Sequence, residues 1–332
     1  MLSSSESDSA KAILIPLLLV VVALSWAWIS RPSLYYTLAT QVSSRLNGIS
    51  TKTVQLSDHD VRLLVGKGSE PLLLLHEFTS SKESWLPLAK ELPSRYQVVA
   101  PDLPGLGRSS RRSSADYDIE RQATRMAELI RKLELGQVHI AGLGIGGEIA
   151  ANLASRFPER VLSVTLIAPS GIATPVASDF DRARKDGNPL LPGSAESFRQ
   201  LQDNFMYGSP PKMGKPEFSF KSKQNIQFRR FNQKVLADIE AASSRLSASL
   251  PGIMAPSQLL WCDADKLRDS SGVGLLKTIA PTLQTEILSG CGHMLPEELP
   301  ALLADQLDSF ITKPYIQDST AVDMTSIHSP EI

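Results

Sequence analysis

Six short apolar runs set the limits on what this chain can fold into. They are "PLLLLH" (71–76), "YQVVAPDL" (96–103), "QVHIAGL" (137–143), "VLSVTLIA" (161–168), "SQLLWC" (257–262) and "TEILSG" (285–290). Stretches with helical patterning separate them: "SWLPLAKEL", the amphipathic "IERQATRMAELIRKLEL" (119–135), a segment from the end of the third run to about Arg156, "SGVGLLKTIA" and "EELPALLADQLDSFI". Strands that are apolar on both faces and alternate with helices belong to a parallel sheet covered on both sides. "TVQL" and "VRLLV" before the first run read as a hairpin. Between the fourth and fifth runs, residues 171–250 offer no buried strand, only charged, helix-favouring and Pro/Gly-broken segments. The predicted fold class is therefore α/β, with a mostly parallel central sheet, helices on both faces and a helical insert late in the chain. A chain of 332 residues with 42% hydrophobic composition is ample for such a core.

The stretch "HIAGLGIGGEIAANLASRFPERV" (139–161) supports two readings. Gly142, Gly144 and Gly147 spell G-x-G-x-x-G, the phosphate-cradling fingerprint of dinucleotide-binding domains. That fingerprint belongs in the first strand–helix–strand unit and needs an acidic residue about 20 positions on, at the end of the next strand. Here at least two sheet strands precede it, and the next strand ends "LIAPSG" (166–171) without an Asp or Glu. Nucleotide binding is excluded on these grounds. A nucleic-acid partner is excluded as well, because 34 basic residues stand against 35 acidic ones and leave a net charge of -1 rather than a basic face.

The second reading is a hydrolase nucleophile elbow, G-x-S-x-G, with Gly144 where the serine belongs. Such an enzyme needs a nucleophile at a tight strand-to-helix turn, then an acid, then a histidine, in that chain order. Gly142, Gly146 and Gly147 allow the close packing of that turn. Asp265 in "WCDADKL" follows the next-to-last strand, and His293 in "CGHMLPEELP" follows the last. Each residue alone has an ordinary explanation as a solvated loop residue. Their order at three successive strand ends does not.

On these motifs the chain resembles the α/β-hydrolase superfamily over roughly residues 50–312. "LLLLHEF" resembles its H-G-F oxyanion-loop motif, "PDLPGLGRSS" (101–110) its D-x-P-G-x-G-x-S turn, and "FPERVLSVTLIAPSGI" and "CGHMLPEE" fit too. The insert's "NPLLPGSAESF" and "FMYGSPP" (205–211) resemble small bacterial lipases and esterases related to membrane-anchored monoacylglycerol lipases. The resemblance implies hydrolysis of carboxylic esters, often acylglycerols, without a cofactor or metal. It also implies a lid formed by the insert, oxyanion-hole amides at Phe78 and Ile145, and a catalytic set of residue 144 with Asp265 and His293.

Three departures fall inside the motifs. Glycine at 144 offers no hydroxyl to attack an ester, so no acyl-enzyme can form. Glu77 places a carboxylate beside the oxyanion hole, where it would oppose developing negative charge unless it points to solvent. Cys262 replaces the usual glycine after tryptophan. Neither Cys262 nor Cys291 stands at the elbow, so both are expected to be buried and inert, and two cysteines imply no disulfide framework. His293 with Asp265 could instead activate a water directly. Two functions follow: an ester hydrolase of the lipid-ester line impaired at its nucleophile, or a non-catalytic fold-mate that binds a lipid-like ligand or a partner. Restoring Gly144→Ser is expected to restore labelling by a serine-directed fluorophosphonate.

The N-terminus differs from the rest. After a polar start (1–11), "AILIPLLLVVVALSWAWI" (12–29) carries no charge and ends in Trp26 and Trp28. As a helix it would cover roughly 27 Å, so a single-pass membrane anchor is expected there, with a polar connector at 30–50. Lys11 before the span and Arg31, Arg45 and Lys52 after it lean weakly towards a cytoplasmic body. Residues 313–332, rich in Ser, Thr and Asp, are expected to be a disordered tail.

Overall fold

In the computed structural model the described residues are 3–209, 213–241 and 246–313, with side chains described from Leu14 on, residue 186 excepted. Eight strands form one sheet: β1 (Ser50–Gln55), β2 (Asp60–Val65), β3 (Glu70–Leu75), β4 (Tyr96–Pro101), β5 (Val138–Leu143), β6 (Val161–Ile167), β7 (Ser257–Cys262) and β8 (Gln284–Leu288). Their order is β1-β2-β4-β3-β5-β6-β7-β8. The hairpin β1–β2 is antiparallel, as is the pairing of β2 with β4, and every pairing from β4 through β8 is parallel. β3 lies between β4 and β5, so the winding direction reverses at the sheet centre, the place where such sheets open a crevice at their carboxyl ends.

The helices are α1 (Ser3–Ser30), α2 (Pro32–Leu46), α3 (Leu86–Glu91), α4 (Ile119–Lys132), α5 (Ile145–Arg156), α6 (Asp179–Ala183), α7 (Ala195–Leu201), α8 (Lys215–Gln227), α9 (Arg229–Ala241), α10 (Leu246–Ser249), α11 (Gly272–Ile279), α12 (Leu295–Glu298) and α13 (Pro300–Thr312). Local chemistry sets several of their starts. Asp118 accepts from the Arg121 amide to cap α4, and Ser178 with Asp181 forms a capping box on α6. Pro300 opens α13 and splits the expected closing helix into α12 and α13, because a proline has no amide to continue the helical ladder. α4 turns Ala123, Met126, Leu129 and Ile130 inward, while β3 is buried from Leu72 to Leu75 and β7 from Gln258 to Cys262. Between β6 and β7 the described residues contain helices α6–α10 and no strand, as expected for the insert.

The N-terminus corrects one expectation. Among the described residues no helix is long and apolar enough to cross a membrane. The described apolar side chains of α1 run from Leu14 to Ile29. They are largely exposed. α2, expected only as part of a connector, packs on α8 of the insert through Tyr36 against Phe220 (ring centroids 5.1 Å apart) and Ser33 against Ser219 (3.3 Å). The expected C-terminal tail from residue 314 on lies outside the described residues.

Candidate active site

β5 reaches the carboxyl edge of the sheet at Leu143 and turns through Gly144 straight into α5. Gly144 has φ 56° and ψ −113°, a backbone state that L side chains reach only under strain. Four hydrogen bonds fix the turn: the Gly144 amide donates to Ile167 O (3.0 Å), and Gly144 O accepts from the amides of Gly147 (3.0 Å), Glu148 (3.2 Å) and Ser170 (2.9 Å). Strand and helix approach so closely that a side-chain carbon on Gly142 would run into the Gly146 backbone.

β3 delivers the neighbouring loop. His76 is buried, and burial pushes its pKa down, which keeps the ring neutral. Its Nδ1 bonds Glu77 O (2.7 Å), while its Nε2 accepts from the Leu103 amide (2.9 Å). Asp102, from the "PDLPG" turn, accepts from the Lys82 amide (2.9 Å), Lys82 Nζ (2.7 Å) and the Arg108 amide (2.9 Å). The turn motif therefore clamps both ends of the 76–82 loop and leaves Glu77 and Phe78 little freedom.

Glu77 does not point to solvent. It is fully buried, and its two oxygens have separate partners. Oε1 accepts from the Phe78 amide at 2.6 Å, and Oε2 lies 2.9 Å from His293 Nε2. A Cβ built on Gly144 would fall about one carbon–oxygen bond length from Glu77 Oε2. The carboxylate thus stands in the space that a serine side chain at 144 would take. It also holds the Phe78 amide expected to serve an oxyanion. Taken one at a time, the three motif departures hide this relation: side-chain volume missing at 144 is supplied from position 77.

Asp265, in the loop after β7, accepts from the amides of Leu267 and Arg268 through Oδ1 (both 2.9 Å), and its Oδ2 is 2.8 Å from His293 Nδ1. His293 is buried between two carboxylates. Burial would lower its pKa, but Asp265 and Glu77 outweigh that and raise it to about 9. Burial would likewise raise Glu77, yet the His293 hydrogen bond and the Arg268 charge bring it down to about 2. The pair is a carboxylate and an imidazolium, with Arg268 Nη2 3.6 Å from Glu77 Oε2. Since His293 Nε2 is occupied by Glu77, the site as it stands leaves that nitrogen no room for direct activation of a water.

The two cysteines are not free thiols. Cys262 ends β7 and Cys291 follows β8; adjacent parallel strands bring their Cα atoms to 5.3 Å, and they form a disulfide. The link joins the loops that carry Asp265 and His293. Position offers a signal here: Cys262 is the last residue of one predicted strand and Cys291 directly follows the next. Glu298 also braces the second loop, accepting from the amides of Gly292 and Gly208, the latter in the insert (both 2.9 Å).

A cavity of about 710 Å³ opens between the sheet edge and the insert. Glu77, Phe78, Ile145 and Arg268 form its floor, and Phe180, Leu190, Leu236 and Leu275 much of its apolar wall. Gly144, Ile145, Phe78, Asp265 and His293 therefore meet at one locus, with Glu77 at its centre. No group of His, Cys, Asp and Glu suited to a metal ion occurs among the described residues.

Residues 70–209 match the family described as the alpha/beta hydrolase fold. Lipase 3 of Moraxella sp. (strain TA144) is 30% identical over 228 residues, covering 68% of this chain and 72% of that one. Human monoacylglycerol lipase ABHD6 is 27% identical over 267 residues, covering 76% and 78%. A solved structure of a membrane phospholipase A, a bacterial virulence factor, superposes with a TM-score of 0.81 at 31% identity, covering 91% of this chain and 98% of that one. Sheet order, elbow, loop order and these relatives agree: the chain belongs to the α/β hydrolase family.

Proposed function

We propose that this protein is a hydrolase of the lipid-ester line in which the serine acyl-transfer route is closed, with Gly144 at the nucleophile position. The observation that carries the reading is the placement of Glu77 Oε2 within a bond length of the missing Cβ, hydrogen-bonded to His293 as a serine hydroxyl would be. The lipases among its relatives and the apolar wall of the cavity support a lipid-like ester or other long apolar molecule as the ligand. Membrane association is part of the same reading. The exposed apolar side chains of α1 favour a lipid surface, and α2 ties that segment to the insert over the cavity.

Two observations favour non-catalytic ligand binding as the second reading. The carboxylate holds the oxyanion amide and sits in a buried ion pair with His293. The test is fluorophosphonate labelling together with hydrolysis of short-chain and monoacylglycerol esters. The native protein should neither label nor turn over these esters by a serine route. The structure changes what is expected of Gly144→Ser alone, because its side chain would collide with Glu77; labelling should appear only in Gly144→Ser/Glu77→Gly. Labelling of the native protein at this site would end the proposal, and so would a folded double variant that stays unlabelled.

A further inference from the structure

Helix α2 sits on the body inside out. Its inward face is polar: Ser33 meets Ser219 at 3.3 Å, Arg108 Nη2 donates to Thr37 Oγ1 at 2.7 Å, and the buried Ser44 hydroxyl donates to Thr40 O at 2.7 Å. Thr40 and Gln41 line the same seam against the body. Its outward face is apolar: Leu34, Leu38, Val42 and Leu46 are 49%, 44%, 58% and 82% exposed. An amphipathic helix on a protein surface in water turns its apolar stripe to the core. Half a turn about its own axis would do that for α2, and the fold holds it the other way round.

We propose that the outward face of α2 docks on a phospholipid surface, with the helix lying in the plane of the headgroup layer. This rests on the membrane association read above and goes beyond it, since there α2 only ties α1 to the insert.

The page of a second copy of the chain and that of a lipid surface differ in shape, and α2 fits the second. Residues four apart advance by roughly 40° around a helix, so the stripe winds over about 120°. A seam between two helices repeats every 3.5 residues and would leave one end of such a stripe uncovered. A fluid surface accepts a face of that width. Area decides the same way. With 15 residues, α2 offers a face of roughly 22 Å by 10 Å, about 220 Å², whereas a stable protein pair buries about 800 Å² on each partner. Continuity and charge add to this. α1, directly before α2, exposes apolar side chains from Leu14 to Ile29. Residues 31–47 carry Arg31 and Arg45, both exposed, and no acidic residue. Eleven positions after Leu34, Arg45 falls within the outward face, where its stem can lie along apolar surface while the guanidinium reaches a lipid phosphate.

Docked in this way, α2 sets the attitude of the whole body. Its inner side holds Phe220 of α8 through Tyr36, and Arg108 bridges from Thr37 to Asp102 in the turn that clamps the 76–82 loop. The insert is thereby held beside the lipid, the phase in which an apolar ligand is dissolved.

The test uses the full chain with vesicles of phosphatidylglycerol and phosphatidylcholine, and a nitroxide placed by Leu38→Cys or Val42→Cys. Both native cysteines are in the disulfide and take no label. Collisions with oxygen, which concentrates in lipid, should exceed those with a water-soluble nickel chelate at 38 and 42. A label at Glu159→Cys, exposed before β6, should show the reverse. In Leu38→Gln/Val42→Gln two side chains lose their apolar burial, so the ratio of docked to lifted α2 should fall on the order of 10²-fold. A label at Leu46→Cys should then turn from oxygen-accessible to nickel-accessible. In the native chain, which needs no variant, amide exchange across 33–46 should slow when vesicles are added. Nickel-accessible labels at 38 and 42 on a vesicle-bound chain would overturn the proposal and leave membrane association standing. Exclusion of both reagents, with dipolar broadening between labels of two chains, would overturn it in favour of a second copy. A chain that stays in the aqueous phase would overturn both this proposal and the membrane association on which it rests.

Discussion

Introducing serine at position 144 should destabilise the protein strongly, and the loss should depend on Glu77. A Cβ there falls on Glu77 Oε2, so the carboxylate must leave its place. Leaving strips the buried His293 of a partner, a change that costs about 3–5 kcal/mol. The φ of 56° adds about 1–3 kcal/mol for any side chain at this turn. A loss of about 5 kcal/mol is a large part of the 5–15 kcal/mol that a folded domain has in reserve. It should lower the melting temperature by roughly 10 °C. In a Glu77→Gly background the space is empty and the ion pair is already gone, so the same substitution should cost only the backbone strain. The assay is a double-mutant cycle by urea denaturation, with an expected coupling of about 3 kcal/mol. Equal costs of Gly144→Ser in the two backgrounds would refute the reasoning, because Glu77 would then not occupy that space.

Three further outcomes follow from the same geometry. His293 is raised to about 9 and Glu77 lowered to about 2. The His293 contribution is full below its ordinary pKa near 6.5 and fades as pH rises through 9; that of Glu77 is full above about 4.5 and fades as pH falls through 2. Stability should peak between about pH 4.5 and 6.5, and the alkaline decline, on the order of 3 kcal/mol, should become shallower in Glu77→Gln, without vanishing because Asp265 still faces His293, when denaturation is followed against pH. Replacing both Cys262 and Cys291 by serine should cost about 3–4 kcal/mol, the chain-entropy value for a loop closed across 29 residues; an unchanged denaturation midpoint would argue against the bond. Lys82→Met should cost about 3–5 kcal/mol by leaving the fully buried Asp102 without its ammonium partner, and amide exchange in the 76–82 loop should speed up; slow exchange there would refute the clamp.

The sheet is legible in the sequence because its parallel strands are apolar on both faces and separated by helices, a pattern few other architectures produce. Asp265 and His293 stand out for a related reason: each follows immediately on a strand that the pattern locates. Glu77 is harder. Its residue type is conspicuous, but burial of a carboxylate is decided by what surrounds it, and the imidazolium, the Phe78 amide and Arg268 come from three separate stretches of chain. The cysteine pairing escapes a reading by spacing because strand neighbours, not sequence separation, bring Cys262 and Cys291 together. The split at Pro300 is hidden because the apolar period runs on through it while the hydrogen-bond ladder does not. At the N-terminus the uncharged run suggests a full span, whereas no helix among the described residues is long and apolar enough to cross a membrane.

The bond between Cys262 and Cys291 carries a meaning beyond bracing two loops. Disulfides endure where the surroundings are oxidising, and the glutathione-rich interior of a cell keeps such pairs reduced. On a reducing face the same residues would stand as two thiols at the rim of the His293–Asp265 pair, and the two loops would be joined only through their hydrogen bonds. The redox state of this one pair, read by thiol trapping in intact cells, therefore reports whether the folded body stands in oxidising or in reducing surroundings.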